Sequence, residues 1–173
     1  MSRKTLIITC ITVLLAVAVT VAVGFGYIMP PAYSAPHDKT VSDAEVEINE
    51  KGRSITVSVR GEEVWSLPGE VLAQDFLYDD IDRDGSKDLL VLCWKRGRYG
   101  SHRPTWVKRD EIKWSQHIYI YEVKEQRVRP KWMASDIGIK AASWDITNGI
   151  LSITDTSGDV SKWGWIHWGL EKM

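Results

Sequence analysis

The chain has 173 residues with 22 basic and 23 acidic side chains, which gives a formal net charge of −1. This length is enough for one domain with a real hydrophobic core. The two cysteines are Cys10, inside an apolar run, and Cys93, which stands alone in the rest of the chain. A disulfide-built outer domain is therefore excluded, because such a scaffold carries an even set of cysteines. We expect Cys93 to be a buried packing residue.

The N-terminal segment predicts a membrane anchor. Residues 1–4 form a small basic head with Arg3 and Lys4, and residues 5–28 contain no charged side chain. A helix of this length spans a hydrocarbon core of about 30 Å, and the run is longer than the apolar region of a cleaved signal peptide. The basic head predicts a cytoplasmic N-terminus and an extracytoplasmic remainder. A cleaved signal is the alternative, because Ala32-Tyr33-Ser34 is a passable cleavage site.

A proline-rich spacer, residues 29–40, precedes an expected β domain at residues 41–173. Apolar and polar residues alternate clearly in residues 54–59 and 117–121, and Asn148-Gly149 is a strong hairpin signal. Strands are expected at residues 45–49, 54–60, 63–67, 71–78, 88–94, 117–123, 127–133, 140–144, 150–154 and 162–168. We predict an all-β fold after one transmembrane helix, either a partial propeller-like array or a two-sheet β-meander.

A weak internal repeat favours stacked blades or meanders. Residues 46–55, 79–88 and 144–151 can be aligned on the turn glycines Gly52, Gly85 and Gly149. Recurrence of this kind is typical of propeller blades, although the domain is too short for a large closed propeller. The outer two copies have lost most of the carboxylates, so only the central copy is expected to hold an ion.

The acidic loop, residues 79–88, is the most informative stretch. Around Gly85 it carries the carboxylates of Asp80, Asp82, Asp84 and Asp88. Gly85 permits a sharp bend because it tolerates positive φ, and converging oxygens suit Ca²⁺, which takes about six to eight of them. An EF-hand is excluded, because the twelfth position from Asp80 is Val91 instead of Glu. A turn that binds nothing is the alternative.

The loop has the form D-x-D-x-D-G-x-x-D-L and leads into an apolar strand. It resembles the FG-GAP/VCBS family of β repeats, known from integrin-type propellers and bacterial surface proteins. The resemblance implies a Ca²⁺ site with ligands at positions one, three, five and nine and a backbone carbonyl at seven. Carried over, the ligands are the carboxylates of Asp80, Asp82, Asp84 and Asp88 and the carbonyl of Ser86. No base or nucleophile sits beside the loop, so the expected ion is structural.

A second series of short motifs covers about residues 64–173. It comprises Gln74-Asp75-Phe76, residues 80–90, Trp94-Lys95-Arg96-Gly97, residues 115–118, residues 127–133 and Trp168-Gly169-Leu170. The series resembles a β module that accompanies capsule or poly-γ-glutamate synthesis-type membrane proteins of Gram-positive bacteria. This resemblance implies a role in cell-envelope polymer assembly or export, beside a membrane synthesis or export partner. The metallophosphatase-like half of those proteins has no counterpart in this sequence, so no enzyme activity is carried over.

Residues 95–116 predict a basic, aromatic binding loop between two strands. Seven basic residues stand against two acidic ones in this segment. Arginine suits carboxylates and phosphates, and tryptophan stacks on sugars or cations. We predict a site for an anionic envelope polymer or glycan, such as teichoic acid, an acidic polysaccharide or poly-γ-glutamate, or for lipid headgroups. Its ligand-binding residues are Arg96, Arg98, Tyr99, Arg103, Trp106 and Trp114. The alternative is a solvated loop whose rings cover the core as a lid.

The nine tryptophans are expected to lie mostly in the core, with a carbohydrate platform as the alternative. The histidines show no H-E-x-x-H spacing, and the sequence has neither a G-x-S-x-G elbow nor a phosphate loop. No catalytic residue is therefore predicted, and nucleic acid is not expected as a partner outside the membrane. We predict a binding or accessory role. The alternative function is an envelope glycan hydrolase or transferase that uses the acidic loop.

Overall fold

The computed structural model of the chain describes residues 3–24, 29–31, 34, 37–97, 105–110, 112–134 and 137–173. Within this part, one N-terminal helix precedes twelve strands, which form three antiparallel sheets of four strands each. The predicted all-β class with one N-terminal helix is confirmed. Each sheet is a meander, because its strands are consecutive in the chain and each pairs with its neighbours.

The helix α1 (Arg3–Gly24) contains a stretch from Lys4 to Val21 that is long and apolar enough to cross a membrane. The hydroxyls of Thr9, Thr12 and Thr20 each donate to a carbonyl oxygen one turn earlier, at 2.9 Å. These donors are thus satisfied inside the helix, as a lipid environment requires. A membrane anchor and a signal sequence both meet these criteria.

The three sheets follow one another along the chain. Sheet A contains β1 (Lys39–Asp43), β2 (Val46–Lys51), β3 (Ser54–Val59) and β4 (Glu62–Ser66). Sheet B contains β5 (Val71–Asp79), β6 (Asp88–Arg96), β7 (Trp114–Lys124) and β8 (Arg127–Met133). Sheet C contains β9 (Ala141–Thr147), β10 (Ile150–Asp155), β11 (Val160–Ile166) and β12 (Gly169–Lys172).

Sheet B lies between the other two sheets and is buried on both faces. Leu89 and Val91 of β6 pack in a core shared with sheet A, whereas Leu90 and Leu92 pack in a core shared with sheet C. All four side chains are completely buried. A strand covered on both faces needs apolar residues at every position, which explains the continuous apolar run of β6. Cys93 of the same strand is buried, as expected.

The predicted strands correspond to β2–β11, whereas β1 and β12 were not predicted. Both are short edge strands with few apolar residues, Lys-Thr-Val-Ser-Asp and Gly-Leu-Glu-Lys. β1 begins at Lys39, so the sheet begins before the expected boundary at residue 41. The expected last strand ends at Ile166, and the chain turns back through His167, whose φ is 57°.

The segment before β1 packs against the domain instead of only spacing it from the membrane. Ser34 is buried, and its carbonyl oxygen accepts a hydrogen bond from the Arg53 guanidinium. His37 lies close to carboxylates of sheets A and B. The predicted spacer at residues 29–40 therefore includes part of the folded domain.

Candidate functional site

The acidic loop connects β5 to β6, and hydrogen bonds from its backbone amides to its own carboxylates stabilise its conformation. Asp80 accepts hydrogen bonds from the amides of Asp84 and Gly85, at 3.0 and 2.8 Å. Gly85 has a φ of 89°, which confirms the bend expected at this glycine. Ile81 is buried in the core between sheets B and C and anchors the loop.

Three carboxylates of the loop converge. Asp80, Asp82 and Asp84 each offer an oxygen within 4.8 Å of the other two. Asp82 Oδ1 is buried and has no hydrogen-bond partner among the described residues. Ser86 is bound into the loop through its amide, which donates to Asp84 Oδ1 at 2.8 Å. Such oxygens are the hard ligands that Ca²⁺ takes.

Lys131 of β8 is a partner of the loop that the sequence did not indicate. Its Nζ lies 2.6 Å from Asp82 Oδ2, 2.9 Å from Asp88 Oδ2 and 3.9 Å from Asp84 Oδ2. Asp88 lies outside the converging triplet, and its carboxylate is almost completely buried against Lys131. Burial raises the pKa of Asp88 to about 6, although the Lys131 ammonium acts in the opposite direction. A calcium ion would therefore compete with Lys131 for Asp82 and Asp88.

The predicted binding loop is the end of the β6–β7 hairpin. Pairing continues to Arg96 and Trp114, which shortens the connection to residues 97–113 and places Trp114 in a strand. The Arg96 guanidinium lies 5.2 Å from the centre of the Trp114 ring, within cation–π range. Arg98, Tyr99 and Arg103 lie outside the described residues. We refer to residues 96–97, 105–110 and 112–114 as the hairpin tip.

Trp106 of the hairpin tip is 81% exposed. A ring this exposed covers no core, so the lid alternative does not hold for Trp106. Most other rings do serve the core. Trp94 and Trp144 are buried, and four more pack against the two cores, namely Trp65, Trp132, Trp163 and Trp165. Trp168, in the turn before β12, is also exposed.

A third cluster joins three residues that are distant in sequence, and we call it the His37 triad. His37 Nε2 lies 3.5 Å from Glu50 Oε2 and 3.5 Å from Asp75 Oδ1. Glu50 is 2% exposed, and neither of its carboxylate oxygens has a hydrogen-bond partner among the described residues. Burial raises the pKa of Glu50 to about 7, and the nearby Asp75 carboxylate adds to the shift.

Sequence reasoning missed the His37 triad, although one signal was present. Val46, Ile48 and Glu50 alternate along β2 and therefore share a face. An acidic side chain on the apolar face of a strand points into the protein, whereas one on the opposite face points into solvent. Asp75 follows the bulge of β5 at Gln74, and bulges re-aim side chains in a way that alternation does not reveal.

The chain was compared with protein-family models, curated proteins and solved structures, and its function has to be assigned from its own contacts. No protein-family model, no curated protein and no solved structure matches the chain. The likeness of the acidic loop to FG-GAP/VCBS repeats stays a prediction that depends on the loop residues.

Proposed function

We propose that this protein is a membrane-anchored, extracytoplasmic domain that binds an anionic cell-envelope polymer, in an accessory role in polymer assembly or export. The observation that carries the proposal is that the hairpin tip holds both an exposed Trp106 ring and the cation–π pair of Arg96 and Trp114. The hairpin tip also presents the exposed cations Lys108, Arg109 and Lys113. Cationic groups pair with the phosphates or carboxylates of such a polymer, and an exposed indole stacks on its sugars.

The anchor and the hairpin tip have separate roles in this proposal. The helix α1 holds the domain at the membrane, and the basic residues Arg3 and Lys4 favour a cytoplasmic N-terminus. Asp88 and Arg96 begin and end β6, so the acidic loop and the hairpin tip lie at opposite ends of sheet B, about 27 Å apart at about 3.4 Å per residue. The acidic loop therefore does not contribute to the polymer site.

The acidic loop is proposed as a structural Ca²⁺ site. Asp80, Asp82 and Asp84 supply converging oxygens, and Asp82 Oδ1 has no hydrogen-bond partner in the part of the chain that the structure describes. The FG-GAP/VCBS likeness adds the carboxylate of Asp88 and the carbonyl of Ser86. An ion held by these groups would replace the Lys131 ammonium and fix the start of β6.

Calcium is expected to raise the melting temperature of the full chain in detergent, relative to a sample in chelator. A ligand that binds only the native state stabilises it by about 2.7 kcal/mol at a hundredfold excess over Kd. Asp82→Ala should abolish the increase, whereas Asp145→Ala, at an exposed acid of β9, should preserve it. Thermal unfolding followed by circular dichroism measures this. Identical melting curves with calcium and with chelator would contradict the proposed site.

Replacing Lys108, Arg109 and Lys113 together by serine is expected to reduce retention of the protein on purified cell-wall polymer. The melting temperature should stay unchanged, because exposed substitutions usually cost under about 0.5 kcal/mol. Retention of the parent should weaken steeply with salt, since exposed charges are screened within about 8 Å at physiological ionic strength. Co-sedimentation with wall teichoic acid-containing and teichoic acid-free sacculi measures the effect.

A matched control carries the same loss of charge at the other end of sheet B. Lys124, Arg127 and Arg129 are exposed around the β7–β8 turn, and their triple serine variant should bind as the parent does. Trp106→Ala should weaken retention without changing the melt. A hairpin-tip variant that sediments like the parent, or two triple variants that weaken equally, would contradict the polymer site.

A further inference from the structure

We propose that the His37 triad is a binding site for a divalent transition-metal ion of the Zn²⁺ class. The three ligands come from the segment before β1, from β2 and from β5, with His37 Nε2 3.5 Å from each of the two carboxylates. This site is independent of the acidic loop and of the hairpin tip. An imidazole and two carboxylates form a ligand set that suits zinc, whereas Ca²⁺ and Mg²⁺ take oxygen ligands.

The buried carboxylate of Glu50 is the feature that indicates a bound cation. Its side chain is completely enclosed, and its Oε2 faces His37. Buried polar atoms are paired in nearly all native structures, yet neither oxygen of Glu50 has a hydrogen-bond partner among the described residues. A buried carboxylate that accepts no hydrogen bond is unfavourable, and a cation at its oxygens supplies the missing interaction.

The distances from His37 to the two carboxylates fit a tetrahedral ion. Zinc binds nitrogen and carboxylate oxygen at about 2.0–2.2 Å, so two ligands of a tetrahedral site lie about 3.4 Å apart. Both distances from His37 Nε2, to Glu50 Oε2 and to Asp75 Oδ1, are 3.5 Å. An octahedral Mg²⁺ with ligands at about 2.1 Å would need neighbouring ligand atoms about 3.0 Å apart.

The surroundings orient one ligand and leave room for a fourth. Asp75 Oδ1 accepts a hydrogen bond from the Phe76 amide, and Oδ2 accepts one from Trp144 Nε1, both at 2.8 Å. Such partners fix a metal-binding carboxylate in place. A cleft of about 180 Å³ adjoins the triad and is lined in part by Ser34, His37, Asp75 and Trp144. The fourth position of a three-ligand zinc site takes water or a ligand donor.

Lys39 is the competing cation at this site. Its Nζ lies 2.7 Å from Asp75 Oδ1 and also donates to the Phe76 carbonyl at 2.6 Å. A metal ion would displace the ammonium from Asp75, and Lys39 would keep its carbonyl partner. Because His37 lies in the segment that leads from α1, the ion would tie that segment to sheets A and B at once.

Zinc binding is tested on the full chain in detergent, in a Cys10→Ser background, without an affinity tag and after removal of metal by chelator. Titration calorimetry and elemental analysis should find one zinc ion per chain. Glu50→Gln and His37→Ala should each weaken binding about 100-fold or more, since even residues that only orient ligands cost about 10–100-fold. Lys39→Met should strengthen binding by removing the competing ammonium.

Two control variants keep the test specific. His167→Ala removes an exposed histidine from the β11–β12 turn, and Asp82→Ala disrupts the acidic loop; both should bind zinc as the parent does. Glu50→Gln keeps the shape of the side chain and removes its buried charge, so we expect this variant to fold. A cooperative melting curve would verify that it does. Failure of the parent to bind zinc, or equal affinity of parent and Glu50→Gln, would overturn the proposal.

Discussion

Replacing Lys131 by methionine is expected to lower the free energy of unfolding by about 3–5 kcal/mol in the presence of chelator, the usual cost of breaking a buried ion pair. Asp88 is 1% exposed and would lose its cationic partner, as would Asp82. Methionine preserves an apolar stem beside the Trp165 ring, which lies 5.4 Å from Lys131 Nζ. Denaturant unfolding of the full chain, followed by tryptophan fluorescence, measures the loss.

Calcium should restore most of the stability that Lys131→Met loses. The ion would supply positive charge to Asp82 and Asp88, and without the ammonium it would bind more tightly than in the parent. Lys162→Met, at an exposed lysine of β11, should change stability by under about 0.5 kcal/mol in either buffer. An equal loss with calcium and with chelator would count against calcium binding at the loop. No loss in chelator would show that the ion pair is dispensable.

Stability of the metal-free protein is expected to fall as pH rises from about 4.5 to 7, through deprotonation of Glu50. Its pKa is about 7 in the folded protein against 4.5 for a free side chain. A raised carboxyl pKa means that the folded state holds the proton more tightly, so the stabilisation is full at low pH and is lost as pH rises through this window. At about 1.4 kcal/mol per pKa unit the loss approaches about 3 kcal/mol.

The groups that face Glu50 act in both directions. Burial and the carboxylates of Asp75 and Asp38 raise its pKa, whereas Lys39 and Arg53 lower it. The His37 imidazole also faces Glu50, with its Nε2 3.5 Å from Glu50 Oε2. The contribution of Glu50 to the pH dependence of stability is therefore isolated by comparing the parent with variants of Glu50 and Glu47.

Glu50→Gln should remove this part of the pH dependence and should be more stable than the parent by about 3 kcal/mol at about pH 8 in chelator. Glu47→Gln, on the exposed face of the same strand, should follow the parent curve. Asp88 contributes a slope of the same sign to every variant, so it cancels in the comparison. A Glu50→Gln protein with the parent's slope would contradict the assignment.

The features that could be predicted from the sequence are encoded locally. The bend at Gly85 and the convergence of Asp80, Asp82 and Asp84 lie within one loop, where spacing alone aims the side chains. Alternation and turn residues likewise identify β2–β11, because each hairpin is formed by neighbouring stretches. The short edges β1 and β12 lack these signals and become strands only by pairing with β2 and β11.

The features that could not be predicted depend on contacts between distant residues. Lys131 of β8 reaches Asp88 of β6 across the intervening strand β7, and nothing in the spacing of β8 marks it as a partner. The His37 triad needs both the stacking of sheet A on sheet B and the bulge at Gln74. The sequence predicts a partial propeller-like array or a two-sheet β-meander without deciding between them, and the fold has three sheets, because covering both faces of sheet B is a property of the assembled fold.

The order of the sheets gives the domain a direction of assembly. Sheets A and B can cover each other as soon as the chain is available up to residue 133, but the second face of sheet B must wait for residues 141–172. Until then Leu90, Leu92, Ile118 and Ile120 form an uncovered apolar β surface. Such surfaces promote association between chains. A chain interrupted between sheets B and C would therefore be an aggregation-prone intermediate, and residues 141–172 are the closing segment that covers this surface.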